Sequence, residues 1–182
     1  MNFRDCSNLR RWGLLLSLLF CCSWASAEPG SHRPFEVTGE VVGNHDGDTF
    51  TLSTTEYGVF RVRLSGADTP ETGQAYWRAA RSALRQLVAD KAVTVHCYKR
   101  DRYDREVCHA WVGGRDIGEA LISEGYAWYA RTFAGELRTG QQKAYDNAEQ
   151  RAQARRLGLW AEPDPMAPSV CRKLRRDRQK CR

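Results

Sequence analysis

Apolar and polar residues alternate with a period of two in the first half of the chain, and this pattern predicts β-strands. The alternation begins at Phe35 and continues to Val41, with Phe35, Val37 and Val41 on one face. The segments 49–53 and 61–65 alternate in the same way, and glycine-containing turns separate the three segments. Such alternation is typical of strands with one buried face, so three half-buried strands are expected.

A longer periodicity predicts helices in the rest of the chain. Between residues 72 and 90, apolar side chains recur at helical spacing. Two more alternating segments, 92–98 and 106–112, predict a strand pair joined by a charged loop. Further helices are expected over 116–124 and 135–156, the first of them followed by a glycine that stops it.

The order of these elements defines the expected fold class. Three strands, a helix, two strands and two further helices predict an α+β protein built on a small five-stranded β-barrel, with three helices packed outside it. The strand count alone would also suit other α+β folds. Pro163, Pro165 and Pro168 disfavour a further helix near the C-terminus.

The first 27 residues have the composition of a secretory signal peptide. Three arginines precede an apolar run over 12–22, and an A-x-A tripeptide ends at Ala27. The run is too short to span a bilayer. Cleavage after Ala27 is favoured over a lipid anchor at Cys21, because Phe20 is bulky where a small residue is expected. We therefore expect an exported protein, secreted or periplasmic, with no membrane anchor after cleavage.

Signal removal leaves an even number of cysteines, which in an exported chain suggests disulfides. The four remaining cysteines are Cys97, Cys108, Cys171 and Cys181. Local pairing, Cys97 with Cys108 and Cys171 with Cys181, is the simplest of three connectivities. His96 and His109 adjoin the first pair and suggest zinc, but neighbouring strand residues face opposite sides of a sheet. Four such ligands cannot converge on one ion, so zinc is rejected.

Positive charge is concentrated at the C-terminus. The formal net charge is +6, and residues 171–182 carry seven Lys or Arg against Asp177. Residues 28–170 carry a net −2, so the globular part is not a broad basic surface. The basic tail either raises affinity for nucleic acid in a salt-dependent way or is a solvated terminus.

Three short motifs carry the chemistry. Asp48 lies in the sequence DGDT, Arg63 begins RVRLSGADTPE, and Arg105 closes DRYDR. Hard divalent cations prefer oxygen ligands, a phosphodiester suits the planar fork of arginine, and hydrolysis needs a carboxylate to orient or deprotonate water. Together the motifs predict a metal-dependent nuclease.

Each motif also has an ordinary structural interpretation. Asp-Gly-Asp is common in turns, where aspartate bonds to nearby backbone, and Thr69 to Glu71 could form a helix entry. Arg105 could lie in a plain charged hairpin loop. An EF-hand is excluded, because a loop counted from Asp46 has Thr51 and Tyr57 where glycine and glutamate are required. Only the joint occurrence of the motifs in this order favours catalysis.

Over about residues 35–160 the chain resembles the staphylococcal nuclease (thermonuclease) family. The resemblance rests on the three motifs and on a terminal Gly158-Leu159-Trp160, all in the order and near the spacing of that family. It implies an OB-fold barrel with helices and an enzyme that cuts DNA and RNA with Ca²⁺. The expected domains are then a signal peptide (1–27), a linker (28–34), the nuclease-like domain (35–160) and a tail (161–182).

The resemblance also implies roles for individual residues. Asp48 and Asp68 correspond to the Ca²⁺ carboxylates, and the backbone carbonyl of Thr69 to a third ligand. Glu71 corresponds to the residue that orients or deprotonates the attacking water. The phosphate clamps correspond to Arg63 and Arg105.

Three further residues are expected to contact the nucleotide. Tyr103 would lie beside the nucleotide. Where the family prototype carries two tyrosines after Gly125, this chain has Arg131 and Phe133. These two residues could contact a phosphate and stack on a base of a single strand.

The resulting hypothesis is a secreted, monomeric, Ca²⁺-dependent nuclease that leaves 3′-phosphate ends. Its partners would be DNA and RNA. The alternative is a non-catalytic OB-fold module that binds nucleic acid or protein. Loss of the catalytic arginines or of Glu71 would indicate that alternative, and none of these residues is replaced here.

Overall fold

The computed structural model describes residues 32–181. The predicted signal peptide, and the first residues of the predicted linker, lie outside the described residues. Within residues 32–181, no helix combines the length and the apolar character needed to cross a membrane.

Strands and helices follow the predicted order, with a few short additions. The elements are β1 (Phe35–Asn44), β2 (Thr49–Thr54), β3 (Gly58–Leu64), β4 (Ala67–Asp68), α1 (Trp77–Val88), β5 (Ala92–Arg100), β6 (Glu106–Val112), β7 (Arg115–Asp116), α2 (Ile117–Ser123), β8 (Trp128–Tyr129), α3 (Gln141–Ala154) and α4 (Pro168–Arg176). Short 3₁₀ helices cover Arg131–Glu136 and Gly158–Ala161.

The five long strands close into a barrel. β1 pairs antiparallel with β2 and with β5, β2 pairs with β3, and β5 pairs with β6. The barrel closes through a short parallel ladder between β3 and β6, in which Arg63 lies opposite Val107. This closed five-stranded barrel with helices outside it is the predicted α+β OB-fold, and the prediction is confirmed.

The period-two alternation arises because one face of each strand points into the barrel. Phe50, Leu52 and Val62 are fully buried there, with Val95 from β5. Successive strand residues point to opposite faces, so the residues between them reach the surface or the cleft described below. The same core extends to helix α2, whose Leu121 is also buried.

Two helices begin later than the periodicity predicts, because residues near their N-termini adopt left-handed backbone. The predicted start at residue 72 is wrong, since Gly73 and Tyr76 have positive φ and α1 begins at Trp77. The helix predicted from residue 135 is interrupted in the same way at Gly140, with φ 87°, after which α3 begins. The helix expected over 116–124 forms almost as predicted, and the Asp116 side chain caps it by accepting from the backbone N–H of Glu119 at 2.9 Å.

The expectation that prolines prevent a C-terminal helix is wrong. Helix α4 begins at Pro168 itself, in the first turn. A proline is well tolerated there, because the N–H that it lacks would have no partner within the helix. The segment predicted to be a proline-containing and then basic tail is therefore partly an ordered helix that packs against the domain, with Cys171 fully buried.

Both predicted disulfides are present. Cys97 lies directly opposite Cys108 in the β5–β6 pair, and the two side chains are bonded inside the barrel. Cys171 of α4 is bonded to Cys181. His96 and His109 form the neighbouring cross-strand pair with their rings stacked 6.1 Å apart, so they lie on the opposite face from the cysteines. This arrangement agrees with the rejection of a zinc site.

The first disulfide should contribute measurably to stability. A C97A/C108A variant lacks the cross-link between two residues that are 11 positions apart in the chain. The free energy of unfolding of this variant is expected to be lower than that of the wild type by about 2–3 kcal/mol. Urea unfolding of the variant and of the oxidised wild type measures the difference. An unchanged unfolding midpoint would show that the bond contributes nothing.

Candidate active site

A cleft of about 610 Å³ opens at the end of the barrel where β3 and the β1–β2 and β5–β6 turns meet. The side chains predicted for catalysis and metal binding all line it. These residues are Asp48, Arg63, Asp68, Thr69, Glu71 and Arg105. Groups separated by up to 57 residues in the chain therefore converge as the motifs predict.

Asp48 lies at the floor of the cleft, at the end of the β1–β2 turn. The carboxylate of Asp46 accepts a hydrogen bond from the Asp48 backbone N–H at 3.1 Å, which is the turn role expected for it. Asp48 Oδ2 accepts from both the backbone N–H and the hydroxyl of Thr69, each at 2.9 Å. The turn is thus fastened to the segment that carries the other carboxylates.

Gly47 permits this close approach. A Cβ atom at Gly47 would lie 2.8 Å from the Cβ atoms of both Thr69 and Ala80. A larger residue would push the turn away from Thr69 and from helix α1. The glycine in DGDT is therefore required by packing.

Arg63 bridges the two predicted metal carboxylates. Its guanidinium nitrogens lie 3.1 Å from Asp48 Oδ2 and 3.1 Å from Asp68 Oδ1. It also donates to the backbone carbonyl oxygens of Leu64 at 3.0 Å and Ala67 at 2.8 Å. These four contacts hold the guanidinium between the two carboxylates.

The electrostatics of Asp48 reflect two opposing influences. Burial raises the pKa of the Asp48 carboxyl, while the adjacent Arg63 charge and the hydrogen bonds from Thr69 act to lower it, and the net direction is upward. A buried carboxylate of this kind gains from an added cation, because the cation replaces lost solvation of the negative charge.

Arg105 is positioned by Asp101 of the same loop. Arg105 Nε donates to Asp101 Oδ2 at 2.8 Å, and Nη1 donates to the Thr49 hydroxyl at 3.2 Å. Burial favours a higher pKa for Asp101, but hydrogen bonds from the Arg105 side chain and from the backbone outweigh it, and the pKa is lowered. The guanidinium carbon of Arg105 lies 5.3 Å from the centre of the Tyr103 ring, which is exposed at the cleft.

The two residues predicted after Gly125 are separated by the structure. Phe133 is exposed and lines the cleft, and the ammonium group of Lys99 lies 5.4 Å from its ring centre. Arg131 is not among the residues that line the cleft; it forms ion pairs with Asp146 and Glu149 of helix α3. The placement of Arg131 therefore does not support a phosphate contact in this conformation.

Sequence reasoning missed a third arginine in the site. Arg172 of helix α4 donates from Nη1 to Asp68 Oδ1 at 3.0 Å and from Nη2 to Asp68 Oδ2 at 2.8 Å. Its Nη1 also lies 2.8 Å from Glu71 Oε1. The hydrogen bonds that Arg172 donates to Asp68, more than the attraction of the Asp68 charge, raise the pKa of Arg172. No spacing in the sequence links residues 104 positions apart, so only the tertiary structure reveals this contact.

The donor set suits a hard cation with few protein ligands. In residues 32–181 there is no group of three or more His, Cys, Asp or Glu side chains arranged to hold a metal ion. The site instead has Asp48 and Asp68, joined through Arg63, with Thr69 packed on Asp48. Such all-oxygen donors are compatible with Ca²⁺, which takes carboxylates, carbonyls and waters.

The chain belongs to the staphylococcal nuclease family. Residues 61–162 match the family model described as staphylococcal nuclease homologue. This match covers β3 to the second 3₁₀ helix, and so includes most of the cleft but not helix α4.

Named relatives agree with this assignment. An uncharacterized endonuclease of Haemophilus influenzae is 32% identical over 136 residues, which cover 75% of this chain and 73% of the relative. Protein ParB of Escherichia coli is 34% identical over 142 residues, which cover 73% of this chain and 77% of the relative. Staphylococcal-like nuclease CAN1 of Arabidopsis thaliana is 32% identical over 64% of this chain, which spans only 34% of that relative's length. The relatives named endonuclease or nuclease support a hydrolytic nuclease function.

The packing at Gly47 can be tested directly. G47A is expected to lower the free energy of unfolding by about 1–3 kcal/mol, because the new methyl group overlaps Thr69 and Ala80. Chemical denaturation measures the change. G135A is the matched control, since a Cβ at Gly135 meets no atom within 4 Å. Equal stability of the two variants would contradict the packing argument.

Proposed function

We propose that this protein is a Ca²⁺-dependent phosphodiesterase that hydrolyses DNA and RNA with little sequence specificity and leaves 3′-phosphate ends. The observation that carries the proposal is the convergence of Asp48, Asp68 and Glu71 with Arg63 and Arg105 in one cleft. Family membership supports the reaction class, and the cleft's own residues support the roles below.

The residues that would hold Ca²⁺ are Asp48, Asp68 and the backbone carbonyl of Thr69. When bound, the cation would supply Lewis-acid polarisation of the scissile phosphate. So few protein ligands leave coordination sites for waters and a phosphate oxygen, so modest affinity is expected in the absence of substrate.

Glu71 and the two arginines would act on the attacking water and on the phosphate. Glu71 orients or deprotonates the water that attacks phosphorus, and the bond from phosphorus to the 5′-oxygen then breaks, so the phosphate stays on the 3′ side. Arg63 and Arg105 donate to the phosphate oxygens, on which negative charge increases in the transition state. Fixed donors of this kind contribute about 2.7–4 kcal/mol each by analogy with oxyanion holes.

The exposed aromatic residues at the cleft suit an accessible or single-stranded substrate. Tyr103 and Phe133 both line the cleft with exposed rings. Stacking of a base on such a ring is tolerant of sequence, which agrees with low specificity.

Export is part of the proposal. The N-terminal segment has signal-peptide composition, and two disulfides form in the folded domain. Disulfides persist mainly in oxidising compartments. We therefore propose that the enzyme acts in the periplasm or outside the cell. We also propose that it is a monomer.

The function is tested by incubating the purified, signal-free protein with DNA and with RNA, in Ca²⁺ and in chelator, and mapping the product termini. Cleavage that requires Ca²⁺ and yields 3′-phosphates is expected. Unchanged cleavage in chelator would contradict the metal requirement. Tight binding without turnover would instead favour a non-catalytic binding module.

Arg63→Lys tests the phosphate clamp. Lysine keeps the charge but loses the planar fork, so turnover is expected to fall on the order of 10²–10³-fold while circular dichroism shows a folded protein. Arg115→Lys is the control, because Arg115 is exposed and pairs with Glu124 away from the cleft. Wild-type turnover in the Arg63 variant would remove this residue from the mechanism.

A further inference from the structure

Helix α4 lies beyond the residues that match the family model, yet it contributes to the cleft. The match ends at residue 162, and α4 covers Pro168–Arg176. Arg172 and Arg176 of this helix both line the cleft. The helix is therefore an addition to the matched domain that reaches its functional groups.

The contacts of Arg172 involve the carboxylates that the proposed reaction needs. Its two terminal nitrogens form a bidentate pair with the two oxygens of Asp68, at 3.0 and 2.8 Å. Nη1 also donates to Glu71 Oε1 at 2.8 Å. Asp68 Oδ1 accepts a further bond from Arg63 at 3.1 Å, so both of its oxygens are engaged by guanidinium groups.

We propose that Arg172 is a built-in competitor of the divalent cation. The inference rests on the proposed function, because it concerns the same carboxylates. While it is bound to Asp68 and Glu71, the Arg172 guanidinium blocks the binding of a cation to Asp68 and of a water molecule to Glu71. The guanidinium must leave Asp68 for the metal to bind there. Helix α4 thus acts as an autoinhibitory strap.

The strap is anchored on both sides of Arg172. Cys171, the preceding residue, is fully buried and is bonded to Cys181. Upstream, the amide of Gln74 donates to the backbone carbonyl of Met166 at 2.9 Å, and downstream Arg175 donates to the carbonyl of Thr72. These contacts hold the helix over the carboxylates, so Arg172 acts at high effective concentration.

Arg172 is held by fewer kinds of partner than Arg63 and is more exposed. Its side chain retains 38% of its exposure, against 18% for Arg63. Arg63 is also held by two backbone carbonyls, at Leu64 and Ala67, whereas the hydrogen bonds of the Arg172 guanidinium all go to Asp68 and Glu71. A cation at Asp68 can therefore displace Arg172 more readily than Arg63, which keeps its bonds to the two backbone carbonyls. The displaced guanidinium can then pair with a phosphate, which it binds in the same bidentate way.

The test measures Ca²⁺ affinity by calorimetry without nucleic acid, so it does not depend on turnover. Arg172→Gln is expected to bind Ca²⁺ roughly ten- to a hundredfold more tightly than the wild type, the effect of losing hydrogen bonds between charged groups. Arg172→Lys keeps the positive charge but cannot span Asp68 and Glu71 together, and should also bind more tightly, by a smaller factor. Far-UV circular dichroism checks that each variant is folded.

Lys173→Gln is the matched control. Lys173 is the next residue of the same helix, it is exposed, and its side chain makes no hydrogen bond or ion pair within residues 32–181. Removal of its charge should change the Ca²⁺ affinity by no more than about two- to threefold.

The outcomes separate the two proposals. Tighter binding by both Arg172 variants, with the Lys173 variant near wild type, supports competition at Asp68. Equal Ca²⁺ affinities of the wild type and Arg172→Gln would overturn the proposed role of Arg172 but not the calcium proposal. A gain for Arg172→Gln without any for Arg172→Lys would overturn it too, since net charge would then explain the result. Absence of Ca²⁺ binding by every variant would overturn the calcium proposal itself.

Discussion

The cleft of this domain requires two carboxylates to lie close together while both are largely buried from solvent. Asp48 and Asp68 are both buried, at 5% and 7% exposure, and two carboxylates that share a site repel each other unless a positive charge lies between them. Arg63 provides that charge, and its position is set by backbone carbonyls of the same β3–β4 connection. Arg63 therefore offsets the repulsion between two carboxylates that lie close together at the floor of the cleft.

Much of the barrel was predictable because its determinants are local. The strand at Phe35 and the β5–β6 hairpin follow from the parity of side chains along an extended chain, and the Cys97–Cys108 pairing is compatible with that parity. The convergence of Asp48 with the segment after Arg63 was not derivable from periodicity, and the family resemblance supplied it. Strand order in a barrel depends on long-range pairing, which local patterns do not encode.

The predictions that went wrong concern places where backbone conformation or tertiary contact overrides composition. Tyr76 and Gly140 adopt left-handed backbone and delay two helices that apolar spacing would have extended. Pro168 begins a helix because it falls in the first turn, a distinction that depends on where the helix starts. Arg131 pairs with helix α3, and its phosphate contact stays a prediction, while Arg172, which belongs to the segment assigned to a basic tail, enters the cleft. Charge alone cannot distinguish such residues, since the partner of each is distant in the chain.

The parallel ladder between β3 and β6 has a consequence for the relative position of Arg63 and Arg105, the two arginines proposed to bind phosphate. Arg63 belongs to this ladder, and Arg105 immediately precedes β6, so the spacing between the guanidinium groups is set where the barrel closes. The Cys97–Cys108 bond makes β5 and β6 a single covalent hairpin. Local opening at the ladder would thus carry Arg105 and the whole hairpin away from Arg63 as one unit. A local opening of the barrel would then also separate the guanidinium groups of Arg63 and Arg105.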